Sequence, residues 1–195
     1  MPTAYCNLTL MLLPQVETPS LLIREVRHSD WQAFAGYMSD PQYRRWLDLP
    51  RSRFADERGP KYLVASARAD QTNPRRRSYL LTAARRDSHE PVGDGFILLS
   101  RYRVAEVGWG VAPTMWGRGY GTELARLLVG VAVERLGAKS VTCKVMAPNL
   151  ASRRVAEKVG FASEGSNPAF TTSDGRQVAV HLFKLTRECY FEAPY

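Results

Sequence analysis

Hydrophobic positions along the first half of this chain change period several times. The run LLIREVR predicts a short strand whose two faces carry Leu22, Arg24 and Val26 on one side and Ile23, Glu25 and Arg27 on the other. Ser29 or Asp30 is then a suitable N-cap for a helix that continues to Met38. Pro41 ends that helix and opens a second short one, PQYRRWLDL, and a third helix is predicted over about residues 53–68.

The second half of the chain is richer in strand patterns. SYLLTAAR, PVGDGFILLSRY and AEVGWGVA are separated by short polar turns, as in an antiparallel meander. Leucine and valine then recur at helical spacing from about Gly119 to Leu136. SVTCKVM predicts a further strand, and NLASRRVAEKVGF predicts a helix capped by Asn149 and ended by Gly160. The last segment, GRQVAVHLFKLTRECYF, predicts one long terminal strand.

The order is therefore strand, helices, three antiparallel strands, helix, strand, helix and terminal strands. It contains no internal repeat and no linker, so we expect one mixed α/β domain over residues 1–195. Residues 1–18 are expected to form a tail or an edge segment. Their mildly apolar start lacks the basic residues and the cleavage site of a signal peptide.

Composition narrows the class of protein. No apolar run approaches the ~20 residues that span a bilayer, so we expect no membrane insertion. Cys6, Cys143 and Cys189 are odd in number and far apart, which argues against a disulfide framework and a zinc site and suits a reducing cytoplasm. The three histidines are isolated as well, so no metal is expected.

The net charge of +8 is compatible with nucleic acid, with a small polyanion or with solubility alone. The densest cluster is Arg75, Arg76 and Arg77, and no aromatic pattern typical of nucleic-acid binding accompanies it. We interpret it as a solvated loop or as a contact for an acidic ligand or partner. Direct nucleic-acid binding is the least favoured reading.

The stretch WGRGYGTE carries three glycines at alternate positions immediately before a predicted helix. The first N–H groups of a helix lack intrahelical partners and attract anions, and absent side chains let phosphate oxygens approach. The spacing is G-x-G-x-G, and no Lys-Ser/Thr pair follows it, so neither a P-loop nor a dinucleotide fingerprint is present. A phosphate site and a tight turn both fit this stretch.

Two motifs together resemble the GNAT superfamily of N-acetyltransferases, in particular the branch of the ribosomal-protein N-terminal alanine acetyltransferases. WGRGYGTE matches the family's phosphate motif, with Trp116 where other branches have Gln or Arg. The second motif is matched by Asn149, Ser152, Glu157, Lys158, Gly160 and Phe161. The likeness covers nearly the whole chain and is weakest over about residues 55–77, where substrate-contacting helices would lie.

The resemblance implies a mostly antiparallel central sheet of about six to seven strands, flanked by helices, with the cofactor cleft between splayed strands. It implies acetyl-CoA or a close relative as donor, with the pyrophosphate on the backbone amides of residues 116–122 and the pantetheine arm beside the strand that ends at Val111. The implied cofactor contacts are Val111, Trp116, Gly117, Arg118, Gly119, Tyr120, Gly121, Thr122, Asn149 and Ser152.

Acetyl transfer needs a base, an oxyanion donor and a group at the leaving sulfur. The resemblance implies Glu106 as a base acting through water, although a surface charge at the strand edge is the alternative; Glu25 and Asp94 are further candidates. The Val111 N–H could stabilise the oxyanion. Many relatives carry an acidic tyrosine where this chain has Ala156, so Ser152 is left to orient or solvate the sulfur.

The sequence thus predicts a cytoplasmic N-acetyltransferase, monomeric or homodimeric, that acts on a primary amine by direct attack in a ternary complex. A protein N-terminal α-amine is one acceptor; a small-molecule or antibiotic amine is another. A polyamine would need a locally acidic cleft, for which the candidates are Asp40, Asp48, Asp56 and Glu57. A non-catalytic acyl-CoA-binding regulatory module is the remaining alternative.

Overall fold

A central sheet of eight strands organises the computed structural model, which describes residues 13–192. Residues 1–12 of the N-terminal segment lie outside the described residues, so the expectation of a tail or an edge segment is not tested there. The strands are β1 (Val16–Glu17), β2 (Leu21–Glu25), β3 (Ser78–Arg85), β4 (Pro91–Leu99), β5 (Val104–Val111), β6 (Ser140–Met146), β7 (Ala162–Thr171) and β8 (Gln177–Thr186). The helices are α1 (Asp30–Met38), α2 (Pro41–Arg44), α3 (Arg58–Asp70), α4 (Tyr120–Gly130), α5 (Leu150–Val159) and α6 (Arg187–Glu192).

The strands follow the order β1-β2-β3-β4-β5-β6-β8-β7. Neighbours are antiparallel except β5 and β6, which run parallel. The predicted α/β class and mostly antiparallel sheet are confirmed. The sheet has eight strands instead of the expected six to seven, because the two-residue edge strand β1 and the polar strand β7 both join it.

The predicted long C-terminal strand is confirmed only as far as Thr186. β8 ends at Thr186, and residues 187–192 form the helix α6. The Tyr190 hydroxyl donates to the Glu134 carboxylate (2.5 Å) just beyond α4, which ties α6 to that part of the chain. An alternating pattern cannot signal this change, because six residues are too few to show a helical period.

Helices in the first half are shorter than the sequence predicts. α2 ends at Arg44 instead of near residue 49, and the expected third helix is split into a 3-10 turn over Arg53–Ala55 and α3. The helix expected to reach Leu136 changes after α4 to a π-helical turn over Val131–Arg135. No helix within residues 13–192 is long and apolar enough to cross a membrane.

Each face of the sheet has its own hydrophobic core. On one face α4 packs through Leu124 and Leu128, and α5 packs through Val159. On the opposite face α1 contributes Phe34 and Met38 to a second core, which also takes in residues of α2 and α3. The β5 strand lies between the two cores, so its alternate side chains face different layers.

A buried polar cluster fixes α1 to the second face. Arg24 and Asp30 are 6% and 2% exposed, and both nitrogens of the guanidinium fork bind the carboxylate at 2.7 and 2.8 Å. The same carboxylate accepts from the Arg27 N–H and the Thr82 hydroxyl. Burial opposes ionisation of Asp30, but these bonds outweigh it and lower its pKa below the ordinary value.

Replacing Asp30 by Asn is expected to lower the free energy of unfolding by about 3–5 kcal/mol, because Arg24 then keeps a buried charge without a counter-charge. Urea unfolding followed by far-UV circular dichroism measures the change. Glu57→Gln is the control, since Glu57 and Lys61 form an exposed ion pair whose loss should hardly alter the midpoint. Equal midpoints for the two variants would contradict the prediction.

The lowered pKa of Asp30 also fixes the sign of the pH dependence. The ionised Asp30 carboxylate stabilises the folded protein fully at pH values above its unfolded-state pKa, near 3.8. This stabilisation is lost as the pH falls through the lower pKa of the folded state. Asp30→Asn should therefore destabilise the protein at pH 7. The difference in the free energy of unfolding between the variant and the unsubstituted protein should become smaller as the pH is lowered.

Candidate functional site: a cleft between two parting strands

The cleft exists because β5 and β6 pair over only part of their length. Their parallel register runs from Val104–Ser140 to Glu106–Thr142, and the rest of β5 leaves β6, which continues beside β8. A cavity of about 640 Å³ opens there, between the C-terminal part of β5, the turn before α4 and the first turns of α5. Backbone groups on that side of β5 are left without a strand partner.

Register shows which backbone groups these are. Ala112 donates to the Val92 carbonyl (2.8 Å), so in this antiparallel pair the hydrogen-bonded positions are 112, 110 and 108. The N–H and C=O groups of Val111 and Trp109 therefore point away from β4 and into the cleft. The Trp116 indole N–H donates to the Val111 carbonyl (2.7 Å), in agreement with this orientation.

The glycine turn forms one end of the cleft. Gly117 and Gly119 have φ angles of +78° and +84°, in the left-handed region that favours glycine. A Cβ on either would meet no atom within 4 Å, so the backbone there is bare on its open side. Gly119 is the N-cap of α4 and offers no capping side chain to the first amides of the helix.

Gly121 and Arg118 differ from the other residues of the turn. Gly121 lies inside α4, and a Cβ there would be in ordinary contact, 3.5 Å, with Val155 of α5. Its small size thus serves the approach of the two helices as well as the cleft. Arg118 is exposed and does not line the cavity, whereas Tyr120 and Thr122 do.

Asn149 and Ser152 form the opposite wall. The Asn149 side-chain oxygen accepts the Ser152 N–H (3.1 Å) and so caps α5 as the sequence predicts. This leaves its NH₂ group as the donor for a ligand. Ala156, one turn beyond Ser152, is fully buried, so no acidic hydroxyl is available at that position.

Glu106 lies elsewhere. Its side chain lines a separate cavity of about 560 Å³ together with Arg75, Arg77 and Thr142, and its carboxylate is 2.9 Å from the Lys144 ammonium. The structure thus brings the predicted cofactor residues together, apart from Arg118, but places Glu106 outside their cavity. Whether it acts as the base stays a prediction.

The other sequence candidates have clear surroundings. The Glu25 carboxylate binds the Arg76 guanidinium (2.7 Å) in a pair that is less than a tenth exposed, so Arg76 does not belong to the solvated loop expected for 75–77. Burial raises the pKa of the Cys143 thiol to about 12, and the charge of Glu106 adds to this. The expectation that Cys143 is a buried small residue is confirmed.

Sequence reasoning missed the contribution of α2. Tyr43 is buried but lines the cleft. Arg45, Trp46 and Leu47, which follow α2, line the cleft as well. The Tyr43 hydroxyl donates to the carboxylate of buried Asp94 at 2.6 Å. No periodicity could have revealed Tyr43, whereas a carboxylate between two glycines of an apolar strand is a visible anomaly in PVGDGFILL.

Within residues 13–192 no group of histidine, cysteine and acidic side chains is arranged to hold a metal ion. The lining of the cleft is instead backbone amide, aromatic ring and hydroxyl. Arg154 and Lys158 of α5 add positive charge at the same wall. Such a lining suits a long ligand with an anionic end and amide groups along its length.

Comparisons with known proteins agree with this geometry. The family model described as acetyltransferase (GNAT) domain matches residues 20–162. The uncharacterised N-acetyltransferase YoaA of Bacillus subtilis (strain 168) is 24% identical over 178 residues, which cover 90% of this chain and 98% of that protein.

Two solved structures share the fold. Ribosomal-protein-S5-alanine acetyltransferase from Vibrio fischeri superposes with a TM-score of 0.77 at 14% identity, covering 93% of this chain and 100% of that one. Spermidine N-acetyltransferase from Vibrio cholerae, in complex with CoA and spermine, gives 0.76 at 15% identity, with coverages of 89% and 99%.

Replacing Gly119 by Ala is expected to raise the Kd for CoA by at least about tenfold, or about 1.4 kcal/mol, because the methyl group stands on the bare side of the turn and strains the backbone. Isothermal titration calorimetry measures the Kd. Gly175→Ala is the matched control: Gly175 has a φ of +80° and open space around its Cα, but lies in the β7–β8 turn. A similar change in Kd for both variants would exclude a phosphate cradle at Gly119.

Proposed function

This chain belongs to the GNAT acetyltransferase domain family and is an acyl-CoA-dependent N-acetyltransferase; from that premise we propose that it transfers the acetyl group of acetyl-CoA to a protein N-terminal α-amine. Transfer is by direct attack in a ternary complex. The observation that carries the proposal is the free edge of β5, where Trp109 and Val111 present backbone groups to a cleft that ends at a bare glycine turn.

The donor fits this cleft as an additional strand. The two amides of the pantetheine arm pair with the exposed backbone of Trp109 and Val111, and the pyrophosphate rests on the amides of residues 116–122. The NH₂ group of Asn149 binds the arm from the α5 side. The Trp116 indole already binds the Val111 carbonyl, so it either shares that oxygen with the arm or moves when the donor enters.

Val111 and Ser152 take the two polar tasks at the thioester. The Val111 N–H, already directed into the cleft, stabilises the oxyanion that forms when the amine attacks. The Ser152 hydroxyl orients or solvates the sulfur as the C–S bond breaks. Because a thiol with a pKa near 8.5 leaves readily as a thiolate, departure of the sulfur needs only modest help.

An α-amine suits a site of this kind. With a pKa of about 7.7–8.0 it is roughly a tenth or more neutral at pH 7, whereas a lysine near 10.4 is only about 0.04% neutral. A usable fraction of the α-amine is thus already neutral at pH 7, and Glu106 acting through water remains the sequence's prediction for the base. The ion pair of Glu106 with Lys144 would have to open for that role.

The charges near the cleft disfavour a polyamine acceptor. Three cationic side chains, Arg45, Arg154 and Lys158, line the cavity itself. The acids expected to form a binding patch already have partners in the chain: Asp40, Asp48, Asp56 and Glu57 bind, respectively, the Gln42 N–H, the Ser173 N–H, Arg58 and Lys61. A polycation would meet repulsion at the cleft, and two of these four carboxylates, Asp56 and Glu57, are already engaged in ion pairs.

We further propose a cytoplasmic location and a monomeric or homodimeric state. Cys143 and Cys189 are both free thiols, which agrees with a reducing compartment. Cys189 is exposed on α6 and would be open to oxidation elsewhere.

An assay of thiol release from acetyl-CoA tests the acceptor class. We expect turnover with short peptides bearing a free N-terminus, loss of turnover when the same peptides are N-terminally blocked, and little turnover with spermidine. Succinyl-CoA run in parallel reports the acyl preference. A silent panel combined with a Tm raised by acetyl-CoA would instead support the acyl-CoA-binding module.

Glu106→Gln tests the predicted base. If Glu106 accepts the proton of the amine, kcat/KM should fall by about 100-fold or more and the pH profile should lose the corresponding limb. Lys144→Gln is the control, because it frees the Glu106 carboxylate from its ion pair and should not lower the rate. An unchanged rate and profile for Glu106→Gln would remove it as the base.

A further inference from the structure

We infer that Tyr43 and Asp94 form a proton relay beside the thioester site, in which Tyr43 exchanges a proton with the reacting groups and Asp94 holds it. This role deepens the proposed acetyl transfer and rests on it, and it assigns to Tyr43 the amine proton that the sequence assigns to Glu106. From the opposite side of the cleft it would supply the proton-donating hydroxyl that α5 lacks at Ala156.

The position of Tyr43 in the cleft supports the relay. Tyr43 is the residue of α2 that lines the cleft from the buried side, in company with Trp109, Gly110 and Val111. A Cβ on Gly110 would collide with the Tyr43 hydroxyl, so that oxygen lies directly against the backbone next to Val111. Val111 is the proposed oxyanion donor, and Tyr43 therefore lies beside the residue at which the tetrahedral intermediate would be stabilised.

The hydrogen bonds of Asp94 are the second argument. The Tyr43 and Tyr37 hydroxyls both donate to Oδ1, at 2.6 and 2.9 Å. The other oxygen, Oδ2, accepts neither of these hydrogen bonds. Within residues 13–192 every side-chain oxygen or nitrogen that is fully buried has a hydrogen-bond partner, so Oδ2 must keep some contact with solvent. A structural carboxylate would be expected to use both oxygens, as Asp30 does.

Charge balance around Asp94 is the third argument. α1 presents Tyr37, α2 presents Tyr43, and the neighbouring strands present Thr82 and Gly110 at the paired positions. The cation of this buried row, Arg24, is bound by Asp30, and within residues 13–192 no salt bridge to Asp94 is formed.

Consequently burial raises the pKa of Asp94 to about 6, against the smaller lowering effect of the two tyrosine hydrogen bonds. The pKa of Tyr43 is raised well above its usual value, by burial first and by the Asp94 charge second. Tyr43 thus stays protonated and passes protons on, while the carboxylate can take up and release one near neutral pH.

The proton steps balance. As the amine nitrogen bonds to the thioester carbon, its proton moves to the Tyr43 oxygen, and the hydroxyl proton of Tyr43 moves to Asp94. When the C–S bond breaks, the sulfur takes a proton from Tyr43, and Asp94 returns its proton to Tyr43. The products are the amide and the CoA thiol, and both side chains regain their starting state.

Three variants test the relay. Tyr43→Phe keeps the ring and should lower kcat by about 100-fold, with an unchanged Kd for CoA. Asp94→Asn still accepts both tyrosine hydrogen bonds but cannot hold the proton. With an acceptor amine that stays neutral over the whole pH range, the acidic limb of kcat near pH 6 should disappear in this variant.

Tyr37→Phe is the matched control. It removes the other hydroxyl bound to the same oxygen, but Tyr37 does not line the cleft. Because that hydrogen bond lowers the pKa of Asp94, its loss should move the acidic limb to higher pH. The plateau rate above the limb should stay within about twofold of the unsubstituted enzyme.

A titration of the Asp94 carboxyl by ¹³C NMR gives a readout that does not depend on turnover or on the variants' folding. A value near 6 supports the relay, and a value near 3.8 overturns it. The relay is also overturned when Tyr43→Phe keeps the rate, or when Asp94→Asn keeps its acidic limb, in an enzyme that releases thiol. Absence of thiol release from the unsubstituted enzyme with every acceptor would instead reject the proposed function itself.

Discussion

The early end of pairing between β5 and β6 is the constraint from which the functional architecture follows. After Glu106 and Thr142 the two strands separate, and the outward backbone groups of Trp109 and Val111 lose the partner that a continuous sheet would give them. Buried amides need hydrogen-bond partners, so the parting creates a demand that a ligand with its own amides can meet. The glycine turn and the cap of α5 then close the two ends of the gap.

The helix layers on the two faces of the sheet, which meet at this gap, differ in polarity. On the α4–α5 side the core is apolar, and polar groups come from helix termini. On the α1–α2 side a buried row of polar residues crosses the sheet from Arg24 through Thr82 to Asp94. In the proposed function the first layer holds the donor through local backbone geometry, whereas the second brings side-chain chemistry to it. β5 serves both because its successive residues face opposite sides.

Local rules explain what could be predicted from the sequence. The glycine turn and the Asn149 cap follow from conformational demands within a few residues, and the apolar periods of α4 and α5 are strong. β7 was missed because it is polar and exposed along nearly its whole length, so only its pairing with β8 defines it. Tyr43 and Asp94 meet across 51 residues of sequence through the docking of α2, which no local pattern encodes.

The aromatic lining of the cleft has a practical consequence. Three of the four tryptophans of the chain, Trp46, Trp109 and Trp116, border the cavity, while Trp31 lies on α1 beneath the Lys61 ammonium. The indole of Trp116 is moreover bonded to the carbonyl that faces the donor's path. The intrinsic tryptophan fluorescence of this protein is therefore concentrated at the cleft that we propose for the donor, and it can report whether that cleft is occupied.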